Sequence, residues 1–291
     1  MAPPVPVTSA EAPEAKPHPS SPLEDLELRL LLEAVFNFYG FDFREYAPSS
    51  LRRRIRHLMR EEGLPTISAL QDRVLHDPTS LPRLIQGLSV SVTSMYRDPG
   101  FFRAFRQQVV PVLRTYPILR IWHAGCSTGE EVYSMAALLE EESLYDRCRI
   151  YATDMNEDAL HRAAAGCFPL AAMREHTARY LAAGGRRSFS EYYSVRDRQV
   201  IFDRRLRRNV VFAEHNLVTD RSFNEFNAIL CRNVLIYFSR PLQERVHRLL
   251  YESLGRLGFL GLGSKETVQF TPFERSYQAL DPVHKIYRKV G

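Results

Sequence analysis

A short run of small residues between an apolar stretch and an acidic stretch is the part of this sequence best suited to chemistry. Arg120–Ala124 is largely apolar, Gly125-Cys126-Ser127-Thr128-Gly129 follows, and Glu130 and Glu131 come next. This order predicts a strand, a turn and a helix. Glycines in such a turn let the backbone approach a ligand, and the helix N-terminus offers unpaired N–H groups. The pattern therefore indicates a site for a nucleotide-like cofactor.

The spacing of the two glycines narrows the class of cofactor. It is Gly-x-x-x-Gly and not the Gly-x-Gly-x-x-Gly of dinucleotide binders, which disfavours a nicotinamide enzyme. Ordinary close packing between a strand and a helix explains such a turn equally well when it is taken alone. A second feature favours the cofactor: Asp154 follows the next apolar run, where its carboxylate is placed to hold a ribose diol.

Polar residues follow four predicted strands, and the carboxyl ends of parallel strands share one edge of a sheet, where open α/β proteins bind ligands. Three of the four have a simpler alternative: the two glutamates favour a first helical turn, Asp154 caps a helix, and Asn216 closes a turn. Because all four segments meet at one edge of the sheet, a ligand-binding site explains them better than separate structural roles do. The four segments are Gly125–Glu131, Asp154, Asn216-Leu217 and Cys231-Arg232-Asn233.

Apolar runs alternate with helical patterns after residue 98, which predicts an α/β fold with a parallel sheet and helices on both faces. Between Gly166 and Arg208 the alternation breaks, which suggests a small inserted hairpin region. The predicted strands are 119–124, 148–153, 209–213, 227–231, 258–262 and one near 284–289. The predicted helices lie near 101–109, 130–142, 156–165 and 241–256.

The first part of the chain differs in composition. Residues 1–22 are rich in proline, which predicts a disordered tail. Residues 23–90 show helical apolar spacing and predict a small all-α domain ahead of a domain over 91–291, with the insert at about 167–208. The apolar positions that carry this spacing are Leu26, Leu30, Ala34, Phe38, Leu51, Ile55, Leu58 and Met59.

Composition excludes several classes of protein. With 291 residues and 45% hydrophobic content the chain can bury a large core, and no run of about 20 apolar residues is present to span a bilayer. We expect a cytoplasmic protein with reduced cysteines and no metal site, because the four cysteines lack paired ligand spacing. The net charge of +5 does not by itself choose a partner.

Several motifs in order resemble the CheR-type chemotaxis receptor methyltransferases over roughly residues 23–290. The family transfers a methyl group from S-adenosylmethionine to receptor glutamates, leaving S-adenosylhomocysteine. The resemblance implies an all-α amino-terminal domain and a Rossmann-like methyltransferase sheet with a small inserted β-subdomain. The motifs are Val92–Asp98, Ala124–Glu131, Ala152-Thr153-Asp154, Asn216-Leu217 and Cys231–Phe238.

The resemblance also implies roles for individual residues. Arg97 and Tyr237 are expected at the reacting centre, and Arg97 also belongs to the cofactor set. Glu130 is expected near the amino acid portion of the cofactor, Asp154 on its ribose, and Asn216 and Leu217 beside its adenine. The full set expected to bind the cofactor is Ser91, Thr93, Arg97, Gly125, Glu130, Asp154, Asn216, Leu217, Arg232 and Asn233.

A basic run, Arg52-Arg53-Arg54-Ile55-Arg56, lies on a predicted helix. A solvated helix face is the usual explanation of such a run. In the family this helix is thought to face the receptor, so we expect Arg53 and Arg56 to capture an acidic substrate. Arg97 likewise has an alternative role as an ion-pair partner of Asp98.

Departures from the family pattern affect the expected details of the cofactor pocket and the expected mode of docking on a receptor. Ser91, Met95 and Tyr96 stand where the family often has Asn and a Phe-Phe pair, and Lys265 extends a Ser-Glu element. Family members that dock on a receptor tail carry a glycine-containing loop in the β-subdomain, whereas residues 192–208 contain no glycine. We therefore do not expect tethering to a tail peptide.

Two rival functions remain open at this stage. A nucleic-acid methyltransferase would explain the basic charge, but Cys231-Arg232-Asn233-Val234 replaces its usual Asn/Asp-Pro-Pro-aromatic element. The other rival is a signalling module that binds S-adenosylmethionine without turnover. We expect a monomer that methylates a chemoreceptor or another acidic signalling protein and binds no nucleic acid.

Overall fold

Four helices begin the part of the chain that the structure describes. The structure is a computed structural model that describes residues 21–89 and 93–291. Ser21 starts the first helix, because its side chain accepts a hydrogen bond from the backbone N–H of Glu24. Apart from residues 21 and 22, the predicted tail lies outside the described residues. The four helices are α1 (Pro22–Tyr39), α2 (Pro48–Glu62), α3 (Ile67–His76) and α4 (Ser80–Leu88).

The predicted inner face of α1 is wrong. Leu26 is 43% exposed and Phe38 is 68% exposed, whereas Leu28, Leu31 and Val35 are buried, as is Leu32. Helix α1 carries leucines around most of its first three turns, so apolar spacing allowed two faces, and packing against α3 selected one of them. The expected positions on α2 are correct for Leu51, Ile55 and Leu58, which are buried, while Met59 is half-buried.

A seven-stranded sheet forms the second part of the chain. Its strands are β1 (Leu119–Ala124), β2 (Cys148–Asp154), β6 (Val210–Glu214), β7 (Phe226–Cys231), β8 (Leu254–Leu262), β9 (Tyr277–Asp281) and β10 (Ile286–Lys289). Their order in the sheet is β6-β2-β1-β7-β8-β10-β9, with parallel pairing from β6 through β8. The predicted Rossmann-like α/β fold is confirmed, and all six predicted strands are present.

The sheet departs from the prediction at one edge. The strand expected near 284–289, β10, runs antiparallel to β8, and β9, which was not predicted, pairs antiparallel with β10. A four-residue connection between β9 and β10 makes this possible, because a short hairpin reverses the chain whereas a parallel pair needs a long crossover. Strand β8 starts at Leu254, four residues earlier than expected, and the helix before it ends at Ser253.

Helices connect the strands of this sheet. Pro99, Asn156 and Ser239 lie at the starts of three of them, and a single π-helical turn over Phe105–Val109 joins two short ones. Pro111 follows that turn and lacks the N–H that a regular helix would use. The helices are α5 (Pro99–Ala104), α6 (Val110–Leu113), α7 (Glu130–Glu141), α8 (Glu157–Ala165) and α10 (Arg240–Ser253).

The predicted insert is a second, three-stranded antiparallel sheet between β2 and β6. Its strands are β3 (Cys167–Pro169), β4 (Tyr193–Arg196) and β5 (Gln199–Phe202), in the order β3-β5-β4, and helix α9 (Met173–Ala182) precedes β4. The tight turn between β4 and β5 is made by Asp197 and Arg198, both with positive φ, where glycine is the usual choice.

The two faces of the main sheet bury two different cores. On β1, Ile121 packs into the core shared with α5, α7 and the insert, whereas Trp122 and Ala124 pack into the core shared with α10 and the amino-terminal helices. Alternation along a strand produces this division. The all-α region therefore covers one face of the sheet, and no helix of the described residues is long and apolar enough to cross a membrane.

A buried ion-pair network joins the π-helical turn to the end of α7. Arg106 contacts Glu141 and Glu142, each at 2.5 Å, and the side chains of all three are almost fully buried. Glu142 also contacts Arg114 at 2.6 Å, although Arg114 is half exposed. Burial alone would raise the pKa of Glu141, but hydrogen bonds from Tyr180 and Arg106 outweigh burial and lower the pKa below its usual value. The carboxylate of Glu141 is therefore ionised.

Replacing Arg106 is expected to leave two buried carboxylates poorly compensated. We expect Arg106→Ala to lower the free energy of unfolding by about 3–5 kcal/mol. The matched control is Arg114→Ala, which removes a partly exposed partner of the same Glu142 and should cost less than about 1 kcal/mol. Urea unfolding followed by circular dichroism measures both, and equal losses would contradict the importance assigned to Arg106.

Candidate active site

A large pocket lies where the parallel strands end. It opens at the carboxyl ends of β1, β2 and β7, where the strand order reverses between β1 and β7, and its volume is about 1040 Å³ including the open mouth. This is the position at which open α/β sheets bind ligands. The predicted residues that line it are Thr93, Arg97, Gly125, Asp154, Asn216, Leu217, Arg232, Asn233 and Tyr237.

The other predicted residues are Ser91, Glu130, Arg53 and Arg56, and Glu130 is described with its helix below. Ser91 lies outside the described residues. Arg53 is exposed on α2, and Arg56 forms a bidentate pair with Glu24 of α1 at 2.6 and 2.7 Å. Neither Arg53 nor Arg56 lines the pocket. Their predicted contact with a substrate stays a prediction.

The loop after β1 has the tight geometry that its glycines predict. Gly125 has φ +76°, and a Cβ there would lie 2.6 Å from a methyl group of Val234, so a larger residue is excluded. The backbone N–H groups of Gly125 and Cys126 both donate to the carbonyl of Thr153 at 2.9 Å. The loop is thereby tied to the end of the neighbouring strand β2.

Asp154 fastens the same loop with its side chain. One carboxylate oxygen accepts the N–H of Ser127 at 2.8 Å and the other accepts the N–H of Asn156 at 3.0 Å. The N-cap of α8 is Asn156 and not Asp154, so Asp154 supports the start of this helix only through its hydrogen bond with the N–H of Asn156. Burial raises the pKa of Asp154, and these N–H groups oppose that rise. Each oxygen keeps a second lone pair for a ligand.

At the start of α7, Glu131 and not Glu130 faces the pocket. Glu130 accepts a hydrogen bond from the hydroxyl of Thr128 at 2.6 Å and is absent from the lining. Glu131 binds His123 at 3.1 Å and Arg232 at 2.7 Å. Burial alone would raise the pKa of Glu131, but Arg232 and His123 outweigh it and lower the pKa to about 2. Consecutive helical residues point about 100° apart, which separates the two glutamates.

Arg232 connects three segments at the pocket floor. Its side chain is 1% exposed, and it reaches Asp98 at 2.8 Å as well as Glu131. The guanidinium also lies 4.0 Å from the centre of the Phe101 ring, in cation–π geometry. Arg232 therefore holds the loop after β7 against the segment that carries Arg97.

The loop after β7 is shaped by the buried carboxylate of Glu266, which the sequence analysis did not include among the site residues. Glu266 accepts backbone N–H groups from Gly263 at 2.6 Å, Val234 at 2.8 Å and Asn233 at 2.9 Å. Burial raises the pKa of Glu266, and these donors counteract it. Asn233 has φ +61°, and the clamp holds it in that conformation beside the pocket.

The edge of the pocket near β6 is formed by Asn216 and Leu217. The side chain of Asn216 accepts the N–H of Val218 at 3.0 Å, so it closes the turn that was the simpler alternative, and it lines the pocket as well. The backbone N–H of Asn216 donates to Asp220 at 2.8 Å. Turn formation and pocket lining are therefore compatible at this residue.

The all-α region supplies a wall that sequence analysis missed. Arg54 lines the pocket, donates to the carbonyl of Leu88, and lies 4.6 Å from the centre of the Tyr237 ring. Its second terminal nitrogen, Nη2, is buried without a hydrogen-bond partner among the described residues. A signal was available: Arg54 is three residues after Leu51 and four before Leu58, on the buried stripe of α2. Phe43 and Tyr46 complete the wall.

Two family models match consecutive parts of the chain. Residues 26–89 match the all-alpha domain of CheR methyltransferases, and residues 91–280 match the SAM-binding domain of CheR methyltransferases. The chain belongs to the CheR methyltransferase family. It is accordingly a methyltransferase that uses S-adenosylmethionine, and the predicted family and cofactor are confirmed.

Three curated relatives cover most of this CheR chain. It is 50% identical over 265 residues to a putative methyltransferase Cher3 of Pseudomonas putida, which covers 91% of this chain and 97% of the relative. It is 30% identical over 237 residues to the chemotaxis protein methyltransferase of Listeria monocytogenes, with 79% and 85% covered. It is 29% identical over 265 residues to the chemotaxis protein methyltransferase 1 of Pseudomonas aeruginosa, with 85% and 92% covered.

The Glu266 clamp gives a test of how the pocket is held. Glu266→Gln keeps the size of the side chain but turns an N–H donor toward backbone N–H groups, so we expect a loss of about 1–3 kcal/mol in the free energy of unfolding. Binding of S-adenosylhomocysteine should weaken as Asn233 loosens. Calorimetry and urea unfolding measure these effects. The exposed neighbour provides a control, since Lys265→Gln should change neither; unchanged binding in Glu266→Gln would contradict the clamp.

Proposed function

We propose that this methyltransferase forms methyl esters on glutamate side chains of a chemoreceptor or a related signalling protein. One observation carries the proposal: a single pocket joins the cofactor edge of the sheet to the wall from the all-α region, where the guanidinium of Arg54 lies against the ring of Tyr237. The names of the Listeria and Pseudomonas aeruginosa relatives support the chemotaxis setting. S-adenosylmethionine supplies a methyl group on a sulfonium, which a carboxylate oxygen displaces.

The pocket residues suit that cofactor. Ser127 Oγ and His123 Nε2 are buried in the lining without hydrogen-bond partners among the described residues, as expected where a polar ligand completes the bonding. In our proposal Asp154 holds the ribose hydroxyls, and Asn216 and Leu217 flank the adenine. Thr93 and Arg97 lie at the methionine end, near the floor formed by Arg232.

The proposed reaction needs no dedicated base. A glutamate has an ordinary pKa of about 4.3, so it is already ionised near neutral pH. The protein therefore has to align the carboxylate and exclude competing orientations. Arg54 is suited to this task because its unpaired Nη2 can donate a charge-assisted hydrogen bond into the pocket. Burial lowers the pKa of Arg54, yet an arginine remains protonated in a protein.

The other arginines of the basic run 52–56 take a different part in the proposal. Arg53 is exposed and attracts an acidic surface over a distance, whereas Arg56 and Arg52 are held by Glu24 and Asp25 of α1. Steering by Arg53 is screened by salt, but a contact made by Arg54 inside the pocket is screened much less. In the proposal, Arg53 therefore attracts the substrate, and Arg54 aligns its carboxylate in the pocket.

The first test identifies the product. A purified receptor cytoplasmic fragment is incubated with the enzyme and S-adenosylmethionine labelled in the methyl group. We expect label in the protein that mild alkali releases as methanol, because a glutamyl methyl ester hydrolyses there. Mass spectrometry then locates the esterified glutamates. Alkali-stable label would contradict the proposal, and so would cofactor binding with no transfer to any receptor fragment.

The second test separates the two arginines. We expect Arg54→Gln to lower kcat/KM for the receptor by about 10- to 100-fold, the worth of one hydrogen bond between charged groups, with little change in cofactor affinity. Arg53→Gln should react more slowly than wild type only at low ionic strength. In about 0.5 M salt, which screens the attraction in wild type, the two rates should be equal. Initial rates over a salt series check both. If the difference in kcat/KM between Arg54→Gln and wild type also vanished in high salt, the proposed contact of Arg54 with the reacting carboxylate would be contradicted.

A further inference from the structure

Helix α1 carries a row of apolar side chains that the rest of the described chain leaves uncovered. Leu23 and Leu30 are 65% and 50% exposed, and Leu26 and Phe38 are exposed as well. With the half-buried Ala34 they follow one another at spacings of three or four residues, so they lie on about one third of the helix circumference. These five residues, Leu23, Leu26, Leu30, Ala34 and Phe38, are called the α1 stripe.

Neither the fold nor the pocket accounts for the α1 stripe. The core contacts of α1 are made by other positions, among them Leu28, Leu31 and Val35, and the helix packs against α3. No residue of α1 lines the pocket at the strand ends. Single exposed apolar side chains are normal on a protein surface, whereas a contiguous row bordered by charged residues marks a surface that binds a partner. The α1 stripe is therefore a candidate interaction surface.

The side chains of the α1 stripe match a second, antiparallel copy of the same helix. When the two Leu30 side chains oppose each other, Leu26 of one copy faces Ala34 of the other. In the same register Leu23 faces Phe38, so every position of the stripe meets another. A parallel pair would oppose the two alanines and leave a gap between the helices, which close packing disfavours. The pattern of side-chain sizes therefore favours the antiparallel pair.

The charges beside the α1 stripe fit the same orientation. Arg29 and Glu33 lie about one turn apart along one border of the stripe, and both are exposed. In the antiparallel pair the same border of each helix meets, so Arg29 of each copy faces Glu33 of the other. Arg29 forms no ion pair within the described residues, and Glu33 keeps 52% of its side chain exposed next to Arg44. Both charges are therefore available to a second copy.

We propose that two copies of this protein pair through the α1 stripe, antiparallel about Leu30. This goes beyond the proposed methyl transfer and does not depend on it. It also differs from the monomer expected from the sequence, where Leu26 and Phe38 were predicted to be buried. Residues 1–20 directly precede α1, but they contain no leucine, isoleucine or aromatic residue that could fill the stripe. A second copy of α1 supplies such residues in the matching order.

The size of the α1 stripe sets the strength of the pairing. Its exposed apolar area is about 400 Å² per copy, which is at the low end for specific contacts between proteins. The ion pairs between Arg29 and Glu33 lie at the rim, where salt screens them. We therefore expect a weak dimer, with a Kd of about 10–100 µM.

Sedimentation equilibrium tests the pairing. The full chain is measured from about 1 to about 500 µM, and its average mass should rise from 33.6 kDa toward twice that value. We expect Leu30→Glu to weaken the pairing by at least about 30-fold, because two glutamates would oppose each other at the centre of the contact. Leu181→Glu is the matched control, since Leu181 is exposed on α9 and should leave self-association unchanged. Circular dichroism checks that both variants fold.

The charges at the rim give a second test. Arg29→Glu and Glu33→Arg should each weaken the pairing by about 5- to 30-fold at low ionic strength, because like charges then face each other at two places in the dimer. Combining the two substitutions in one chain exchanges the charges and should restore most of the affinity. Equal weakening in the single and combined variants would contradict the assigned contact between Arg29 and Glu33.

Engineered cysteines test the antiparallel register. Leu30→Cys should form a disulfide between copies under mild oxidation, because the two side chains at position 30 oppose each other. Phe38→Cys alone should not, since its two copies lie about 24 Å apart along the paired helices, but a mixture with Leu23→Cys should cross-link. The unaltered chain, whose own cysteines are buried or half-buried, is the control. Cross-linking of Phe38→Cys to itself would indicate a parallel pair and contradict the proposal.

Three further results would overturn the inference. If the full chain stayed a monomer at every concentration, no second copy would cover the α1 stripe. If pairing appeared only after residues 1–20 were removed, the stripe would belong to that segment and not to a second copy. Self-association that Leu30→Glu leaves unchanged would place the contact elsewhere on the protein. Because cofactor and receptor are absent from these measurements, a failure of glutamate methylation does not affect them.

Discussion

The guanidinium of Arg232 is the contact on which the arrangement of the pocket depends. It comes directly after β7, on one side of the point where the strand order reverses, and it binds Glu131 from the helix after β1, on the other side. It also contacts Asp98 and the Phe101 ring, which belong to the segment that precedes the sheet. A buried cation is stable only when its partners are in place, so this group requires all three segments to meet.

The second constraint is the division of β1 between two cores. Because alternate side chains of a strand point to opposite faces, Ile121 and Trp122 belong to different packing layers, and the all-α region is built into the layer that contains Trp122. This places α2 against the mouth of the pocket. Arg54 reaches the ring of Tyr237 only because the helix is fixed there by Leu51, Ile55 and Leu58. The position of Arg54 in the pocket wall is therefore a consequence of core packing and not of surface charge.

Sequence patterns predicted the elements better than the directions of individual side chains. The parallel strands are short apolar runs buried on both faces, so β1, β2 and β7 were found within one residue. Glu130 and Glu131 differ by a single position, and only the start of α7 at Glu130 determines which of them points inward. The inner face of α1 could not be chosen because leucines occupy two faces. Strand β9 was missed because its exposed, mixed sequence Tyr277–Asp281 is ordered chiefly by pairing with β10.

The basic character of the chain also has a structural explanation that composition could not give. Residues 167–208 contain ten arginines and four acidic residues, a net charge of +6, so the insert carries more positive charge than the whole chain, whose net charge is +5. Many of these arginines are engaged locally: Arg186 with Glu142, Arg208 with Asp146, and Arg207 with backbone carbonyls of α8. Outside the insert the chain is nearly neutral, and at the floor of the pocket Arg232 is matched by Glu131. The overall charge therefore describes how the insert is attached and carries little information about the ligand of the pocket, whose recognition depends on a few paired groups at the strand ends.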